Sequence, residues 1–360
     1  MDSMVKLSKM QTLEWTGPRR VELKDSPKPS PQPGQILVRV DTVGICGSEL
    51  EAYTGVSANR FPPLVLGHEL CGRVVEANRC QKEWKEGAPV ALYPMVPCFE
   101  CEFCKNGNAQ VCDQRKVFSI HLPGANAEYM AVDERIAYDI SEELLGPAGS
   151  LVEPFATSIQ SVKYACLSEG LMGSARTADS LVVIGAGPIG LLAMVYAAFR
   201  KVPRIIAVDL VQSRLDVALS LGATDAICTQ QLSPDQIGEA VREKLGGHKA
   251  QTVIEAVGLE VTRQMAVVSV AQMGCIGWLG LHSAVTAADF NHLIRQQVTS
   301  VGTYSARPDD FRDAIAALEG GALKHLDWIR EFPLSEGGQA YRAVVDTPDQ
   351  VTKAVLRPGS

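Results

Sequence analysis

The sequence lacks the surplus of basic residues that binding to nucleic acid or to an anionic membrane requires. It has 34 lysines and arginines against 41 aspartates and glutamates, and its formal net charge is −7 at pH 7. An acidic chain is not attracted to phosphate backbones or to anionic lipid surfaces. We therefore expect neither as a partner.

A long uninterrupted apolar run is also missing. The most apolar stretch, 181–199, is broken by three glycines and a proline, so it does not predict a membrane span. The opening residues MDSMVKLSKM lack the apolar core of a signal peptide. These features predict a cytoplasmic protein with no membrane partner.

The length and the patterning together predict two domains. A chain of 360 residues exceeds what one hydrophobic core usually serves. Short alternating runs up to about residue 155 predict a mainly antiparallel β domain. From Ser180, apolar runs alternate with helical stretches, which predicts a parallel sheet of six strands: LVVIG, RIIAVD, DAICT, QTVIEAVG, CIGWLG and VTSVGTY. We assign residues 1–155 and 305–360 to the first domain and 156–304 to the second.

A glycine-rich motif follows the first of these predicted strands. Gly185, Gly187 and Gly190 form G-x-G-x-x-G, with Pro188 and Ile189 inside the motif. The first glycine permits a tight turn, the second lets backbone approach a pyrophosphate, and the third lets the helix pack on the strand. The motif predicts a dinucleotide site at a helix N-terminus.

Two further residues extend this prediction. Asp209 ends the next predicted strand, where a carboxylate can accept hydrogen bonds from the adenosine ribose and repel the extra phosphate of NADP. The alternative is an ordinary aspartate that caps a helix. Arg214 can lie against the adenine, or it can be a solvated arginine on a helix face.

Four cysteines fall within one short loop, 97–113. Cys98, Cys101, Cys104 and Cys112 have the spacing C-x2-C-x2-C-x7-C. Four thiolates that close a tetrahedron suit a structural zinc with no open position for substrate. Four unrelated thiols are the alternative.

A second set of metal-binding residue types is spread along the chain. Cys46 lies in GICGSE, His68 and Glu69 in LGHE, and Glu153 in LVEP. A catalytic zinc takes about three ligands of mixed type and keeps one position open. Each residue also has an ordinary explanation, as a buried thiol, a core histidine or a surface carboxylate, and spacing alone does not decide between them.

On these motifs, together with GAGPIG, VDL and PLSEGGQAY, the chain resembles the zinc-containing medium-chain dehydrogenase/reductase superfamily, and most of all its sorbitol (polyol) dehydrogenase branch. The resemblance implies a GroES-like catalytic domain and a Rossmann domain, with the active site in the cleft between them. It implies two zinc ions per chain, NAD, and a homodimer or homotetramer. The catalytic zinc ligands would be Cys46, His68 and Glu69, with Glu153 at the fourth corner or bound through water.

The resemblance also implies a chemistry. A zinc ion lowers the pKa of an alcohol hydroxyl, so that the carbinol hydrogen can leave as hydride to the nicotinamide. Ser48 is the candidate to accept the alcohol proton. Many relatives have histidine where this chain has Glu51, so the relay ends either in Glu51 or in water and ribose hydroxyls. Glu49 stands where aspartate is more common and can still orient His68.

The predicted function is therefore hydride transfer between NAD and a secondary alcohol, such as a polyol or sugar alcohol, and its ketone. A cyclitol, a threonine-like amino alcohol or a sugar phosphate is the alternative substrate class. A phosphate would need a basic residue, and Arg60 is the one in a suitable loop, although a solvated loop arginine is the stronger interpretation. The other alternative is a non-catalytic, crystallin-like binding protein, against which the retained ligand residues argue.

Overall fold

The structure, a computed structural model, describes residues 8–166 and 178–359. The chain divides into two compact units, Met1–Glu153 with Leu326–Ser360, and Pro154–His325. Among the helices of the described residues, none combines the length and the apolar composition that crossing a membrane demands.

The strands, in chain order, are β1 (Lys9–Gly17), β2 (Arg20–Pro27), β3 (Gln35–Gly44), β4 (Leu64–Val65), β5 (Glu69–Asn78), β6 (Pro89–Leu92), β7 (Met95–Val96), β8 (Lys116–Val117), β9 (Tyr129–Asp133), β10 (Ala137–Asp139), β11 (Ser180–Ile184), β12 (Arg204–Asp209), β13 (Asp225–Cys228), β14 (Ala250–Glu255), β15 (Val270–Trp278), β16 (Thr299–Gly302), β17 (Ile329–Pro333) and β18 (Lys353–Arg357). The helices are α1 (Gly47–Thr54), α2 (Glu102–Lys105), α3 (Pro147–Ser150), α4 (Val152–Cys166), α5 (Pro188–Phe199), α6 (Gln212–Leu221), α7 (Pro234–Lys244), α8 (Glu260–Ser269), α9 (Phe290–Arg295), α10 (Pro308–Glu319) and α11 (Gly337–Asp346).

The first unit is built around a sheet in the order β10-β6-β5-β3-β18-β17, with β9 also paired to β3. Its pairs are antiparallel except β17 with β18. Ile36, Val38 and Val40 of β3 are almost completely buried, so β3 is a central strand of the core. The register places Gly44 at the end of β3 opposite Glu69 at the start of β5, which brings the segments that follow and precede them together.

The second unit contains a parallel sheet in the order β13-β12-β11-β14-β15-β16. These are the six strands that the alternation of apolar runs predicts, and that prediction is confirmed. Val182, Ile206 and Val253 are fully buried within it. The strand order reverses between β11 and β14, and ligands of such sheets bind at the carboxyl ends of the strands beside this reversal.

The boundary of the second unit differs from the expected one. We expected 305–360 to join the first unit, but helix α10 belongs to the second, whose last residue is His325. Lys163 of α4 pairs with the buried Asp310 (Nζ to Oδ1, 2.6 Å) and with Asp313, both in α10. An ion pair between residues 147 positions apart leaves no periodic signal in the sequence.

Candidate active site

The fold brings Cys46, His68 and Glu69 together. Their potential ligand atoms all lie within 4.8 Å of one another. Cys46 is the N-cap of α1 and follows β3, while His68 immediately precedes β5. The pairing of Gly44 with Glu69 therefore makes neighbours of residues more than twenty positions apart in the chain.

The donor set is one sulfur, one nitrogen and one carboxylate oxygen, which is the mixture that a zinc site with an open position uses. His68 is 8% exposed and Glu69 is 1% exposed, whereas Cys46 is partly exposed. Sulfur, nitrogen and oxygen atoms this close together form a set that one divalent cation can share. The chemistry and the spacing of these groups fit a zinc ion.

Glu49 orients His68, as the sequence predicts. Its Oε1 accepts from the backbone N–H of Gly67 (2.8 Å) and lies 2.6 Å from His68 Nδ1, so that Nε2 is left for a metal. Its Oε2 accepts from the backbone N–H of Cys46 (3.3 Å) in a capping box of α1. Burial acts to raise the pKa of Glu49, but His68, Arg60 and the Gly67 N–H together hold it below its ordinary value.

Lys353 was not anticipated from the sequence. Its Nζ pairs with Glu69 Oε2 and donates to the carbonyl oxygen of Ile45 (3.0 Å), although the residue is only 2% exposed. Gly44 leaves room for this pair, because a Cβ at that position would collide with the Glu69 carboxylate. The available signal was a lysine at the start of the apolar strand β18, and such a lysine is usually an edge or surface residue.

Glu153 lies in the first turn of α4 and is 8% exposed. It is not part of the group within 4.8 Å, but its carboxyl group interacts electrostatically with His68, Glu69 and Lys353. Burial raises the pKa of Glu153 to about 7, and the proximity of Glu69 adds to the rise. Both ligation arrangements that the resemblance implies, direct and through water, therefore remain compatible with its position.

Ser48 is in the first turn of α1, and its Oγ lies 3.5 Å from Cys46 Sγ. The expectation that Arg60 is a solvated loop arginine is wrong, because it is 5% exposed and donates to Ser48 and Ser119. Glu51 is partly exposed. In the described residues no hydrogen bond joins its side chain to Ser48.

The four cysteines of the loop 97–113 converge as well. Their sulfur atoms lie within 4.8 Å of one another, with Cys98 to Cys112 and Cys101 to Cys104 both at 3.5 Å and Cys98 to Cys104 at 3.8 Å. Four sulfurs at about 2.3 Å from one zinc are about 3.8 Å apart, so these distances fit a tetrahedral site and not disulfides. Backbone N–H groups of Glu100 and Cys101 lower the pKa of Cys98 to about 6, which favours the thiolate.

The glycine motif adopts the conformations that its three predicted roles require. Gly185 has φ +98° in the turn after β11, a Cβ at Gly187 would meet nothing within 4 Å, and one at Gly190 would collide with the carbonyl of Gly185. Pro188 and Ile189 form the first turn of α5. The motif therefore leaves open space beside Gly187 at the N-terminus of α5, where a pyrophosphate can lie.

Asp209 lies at the end of β12 and is 9% exposed. Its carboxylate accepts from the backbone N–H groups of Ala186 (2.6 Å) and Val211 (2.8 Å). It thus ties the glycine turn to the end of the neighbouring strand. The Nε of Arg214, in α6, is buried and has no hydrogen-bond partner among the described residues.

Comparison with known proteins identifies the two parts of the chain. Residues 32–142 match the alcohol dehydrogenase GroES-like domain, and residues 188–320 match the zinc-binding dehydrogenase family. The chain is 30% identical to erythritol/L-threitol dehydrogenase of Mycolicibacterium smegmatis, over 97% of this chain and 98% of that protein. The predicted GroES-like and Rossmann architecture is confirmed.

Two solved structures share the fold. An alcohol dehydrogenase from Escherichia coli CFT073, solved with NADH, is 25% identical with a TM-score of 0.86 and covers 97% of this chain and 99% of its own. A protein from Sinorhizobium meliloti 1021, solved with NADP, is 24% identical with a TM-score of 0.86 and covers 98% of this chain and 100% of its own.

Proposed function

This chain belongs to the zinc-binding dehydrogenase family with an alcohol dehydrogenase GroES-like domain, and we propose from that membership that it oxidises a polyol with NAD at Cys46, His68 and Glu69. It is a zinc-dependent oxidoreductase of alcohols that uses a nicotinamide cofactor. The assignment of the reacting residues depends on one observation above all, the convergence of those three side chains within 4.8 Å.

In the proposed site Cys46, His68 and Glu69 hold the catalytic zinc, and Glu153 stands beside it as a fourth ligand or through water. A zinc ion held there would supply a Lewis acid that lowers the pKa of a hydroxyl group, and a bound nicotinamide would supply the hydride acceptor. Glu49 keeps His68 in the ligating orientation. Lys353 holds one oxygen of Glu69, so that the other oxygen is available to the metal.

Ser48 is the proposed acceptor of the alcohol proton. Its hydroxyl lies 3.5 Å from the sulfur of Cys46, a proposed zinc ligand, and this proximity supports the role. Glu51 is three residues further along α1 and is partly exposed. The contacts of Glu51 give no reason to include it in the relay, so we propose that the proton leaves through water and the ribose hydroxyls.

NAD is the proposed cofactor because of Asp209. Each of its carboxylate oxygens already accepts one backbone N–H, and each can accept another hydrogen bond, which suits the two hydroxyls of an adenosine ribose. The 2′-phosphate of NADP would bring negative charge against this carboxylate. Arg214, whose Nε has no partner, is proposed to lie against the adenine.

A second zinc is proposed at Cys98, Cys101, Cys104 and Cys112. The four thiolates use all four positions of a tetrahedron, so this zinc orders the loop 97–113 and does not bind substrate.

A neutral polyol is proposed in preference to a sugar phosphate. Arg60, the basic residue considered as a phosphate contact, already donates to the carbonyl oxygens and hydroxyls of Ser48 and Ser119. It would have to break these bonds to bind an anion. The M. smegmatis relative is named for erythritol and L-threitol, which are neutral.

A kinetic assay tests the proposal. NADH formation is followed with a panel of polyols, cyclitols, threonine and hexitol phosphates, and the same panel with NADP tests the cofactor preference. Cys46→Ser and His68→Ala should reduce turnover by about a thousandfold or more, because the proposed Lewis acid is lost, while NADH binding measured by fluorescence stays intact. The exposed His248→Ala is the matched control.

Activity retained in both ligand variants would contradict the proposed zinc site. Turnover confined to hexitol phosphates would instead overturn the substrate class.

A further inference from the structure

Arg60 is a buried cation with an unusual set of partners. Its Nε donates to the carbonyl oxygen of Ser119 (2.8 Å), and its Nη1 donates to that of Ser48 (3.1 Å). Its Nη2 donates to the hydroxyls of Ser48 (3.1 Å) and Ser119 (3.4 Å). At 5% exposure a guanidinium that is not hydrogen-bonded in this way would strongly destabilise the fold.

The two hydrogen bonds from Arg60 to Ser48 restrict the movement of Ser48. One terminal nitrogen of the guanidinium holds the backbone carbonyl and the other holds the hydroxyl of the same residue, so both the main chain and the side chain of Ser48 are fixed. Only the planar fork of an arginine offers two parallel donors of this kind. Because the Nη2 N–H occupies one lone pair of Ser48 Oγ, the hydroxyl keeps one lone pair to accept from another group and its own proton to donate.

That arrangement matches the requirement for a group that takes a proton from an alcohol. Such a hydroxyl must accept from the substrate and donate onward at the same time. We propose that Arg60 is a positioning residue for the reaction, whose guanidinium holds the Ser48 hydroxyl oriented to accept the proton of the alcohol. The inference rests on the role proposed above for Ser48.

The same guanidinium also reaches the metal-binding side of the site. Ser119 Oγ, to which Arg60 donates, lies 3.2 Å from His68 Nδ1. Arg60 thus joins the loop before β4 to the two segments that carry Ser48 and Ser119. Glu49, which is fully buried, supplies the compensating negative charge, because the charge of Arg60 acts to lower the pKa of Glu49.

A double-mutant cycle tests the inference. Arg60→Met keeps the length of the side chain and removes its charge and donors, and Ser48→Ala removes the group on which Arg60 acts. We expect Arg60→Met to lower kcat by about 10- to 100-fold, as loss of a charge-assisted hydrogen bond does, with KM within about threefold of wild type. The solvent deuterium isotope effect on kcat should rise, since proton transfer becomes slower. In the Ser48→Ala background, Arg60→Met should change kcat by less than about twofold.

Zinc content and melting temperature, measured for every variant, separate positioning from a structural role. Arg73→Met is the matched control. Arg73 pairs with Glu142 in the same unit and lies outside the site. Arg60→Lys, which retains the charge and one donor to Ser48, should recover part of the lost kcat. If Arg60→Met does not accumulate as folded protein, the same cycle with Arg60→Lys decides.

Unchanged kcat in Arg60→Met, or an equal loss with and without Ser48, would overturn the inference, because the arginine would then act through the fold alone. If Ser48→Ala itself retains wild-type kcat, the role proposed for Ser48 fails, and that result is distinct from a failure at Arg60.

Discussion

At the scale of a single residue, Glu69 shows how a buried carboxylate is oriented by a neighbouring cation. Its Oε2 pairs with Lys353, and one of its carboxylate oxygens lies within 4.8 Å of the potential ligand atoms of Cys46 and His68. Burial acts to lower the pKa of Lys353, but Glu69 and Cys46 raise it above its ordinary value, so the ammonium keeps its charge. A charged lysine limits the rotation of Glu69 and thereby sets the direction of its second oxygen.

The first prediction concerns this lysine. Lys353→Met should weaken zinc binding at the catalytic site by about 10- to 100-fold, as loss of an outer-shell partner typically does, because Glu69 loses its fixed orientation. Zinc retained after dialysis against a chelator measures the effect. Lys353→Arg, which preserves the charge, is the control, and equal zinc affinity in both variants would contradict the argument.

At the scale of elements, the four clustered cysteines lie in a segment with little regular secondary structure. The loop 97–113 contains only α2 and a 3₁₀ turn at Ala109–Val111, so hydrogen bonds of secondary structure contribute little to its order. Four thiolates in contact would repel one another without a cation. The convergence of the four cysteines could be predicted from the sequence because all four lie within fifteen residues, a separation that a chain can close locally.

A second prediction follows for metal content. We expect two zinc ions per chain in the purified protein, one in Cys101→Ser and one in Cys46→Ser, because each substitution removes a ligand from a different site. Elemental analysis by mass spectrometry measures this. Cys228→Ser, at the end of β13 and outside both clusters, is the control, and two zinc ions in Cys101→Ser would contradict the prediction.

In the first unit, the carboxylate of Glu134 holds the loop 81–84 in place by hydrogen bonds. Glu134 is 8% exposed and accepts from the backbone N–H groups of Gln81 (2.6 Å) and Lys82 (3.1 Å) and from Trp84 Nε1 (3.1 Å). Burial acts to raise the pKa of Glu134, but these three donors hold it below its ordinary value. The stability they confer is complete above about pH 4.5, the pKa of an unfolded glutamate, and disappears as the pH falls through the lower folded pKa.

The third prediction uses this pH dependence. Glu134→Gln should lower the free energy of unfolding at pH 7 by about 1 to 3 kcal/mol, because a charged acceptor is lost from buried donors. The difference from wild type should shrink as the pH is lowered from 6 to 3, since wild type loses the same charge. Urea titration at several pH values measures it, and a difference that is constant with pH would show that the charge of Glu134 contributes nothing.

At the scale of the whole molecule, a group of exposed apolar side chains precedes an edge strand of the parallel sheet. β16 is the last strand in the order of the sheet, and the segment before it exposes large apolar side chains: Leu281 at 71%, Val285 at 85%, Phe290 at 66% and Ile294 at 71%. Phe290 and Ile294 are four residues apart in α9 and so share one helix face. Large exposed apolar groups of this kind are typical of an interface, and we propose that the chain forms a homo-oligomer through them.

The fourth prediction concerns assembly. Phe290→Asp with Ile294→Asp should convert the protein from a dimer or tetramer to a smaller species, because two charges cannot be buried between copies without partners. Light scattering coupled to gel filtration measures the mass. The control is Leu219→Asp, at an exposed apolar position on α6, and an unchanged mass in the double variant would place the interface elsewhere.

The sequence by itself determined what is local: six strands from their apolar runs, the glycine turn before α5, and four cysteines in one loop. These features depend on neighbours within a few residues, so their spacing carries the information. The tertiary structure decided what depends on contacts between distant segments. The pairing of β3 with β5 and β18 brings Lys353 into contact with Glu69. Helix α10 packs in the second unit, where Asp310 pairs with Lys163. Arg60 is buried and donates to Ser48. Burial and charge pairing between segments remote in the chain are set by packing, and a linear pattern does not record them.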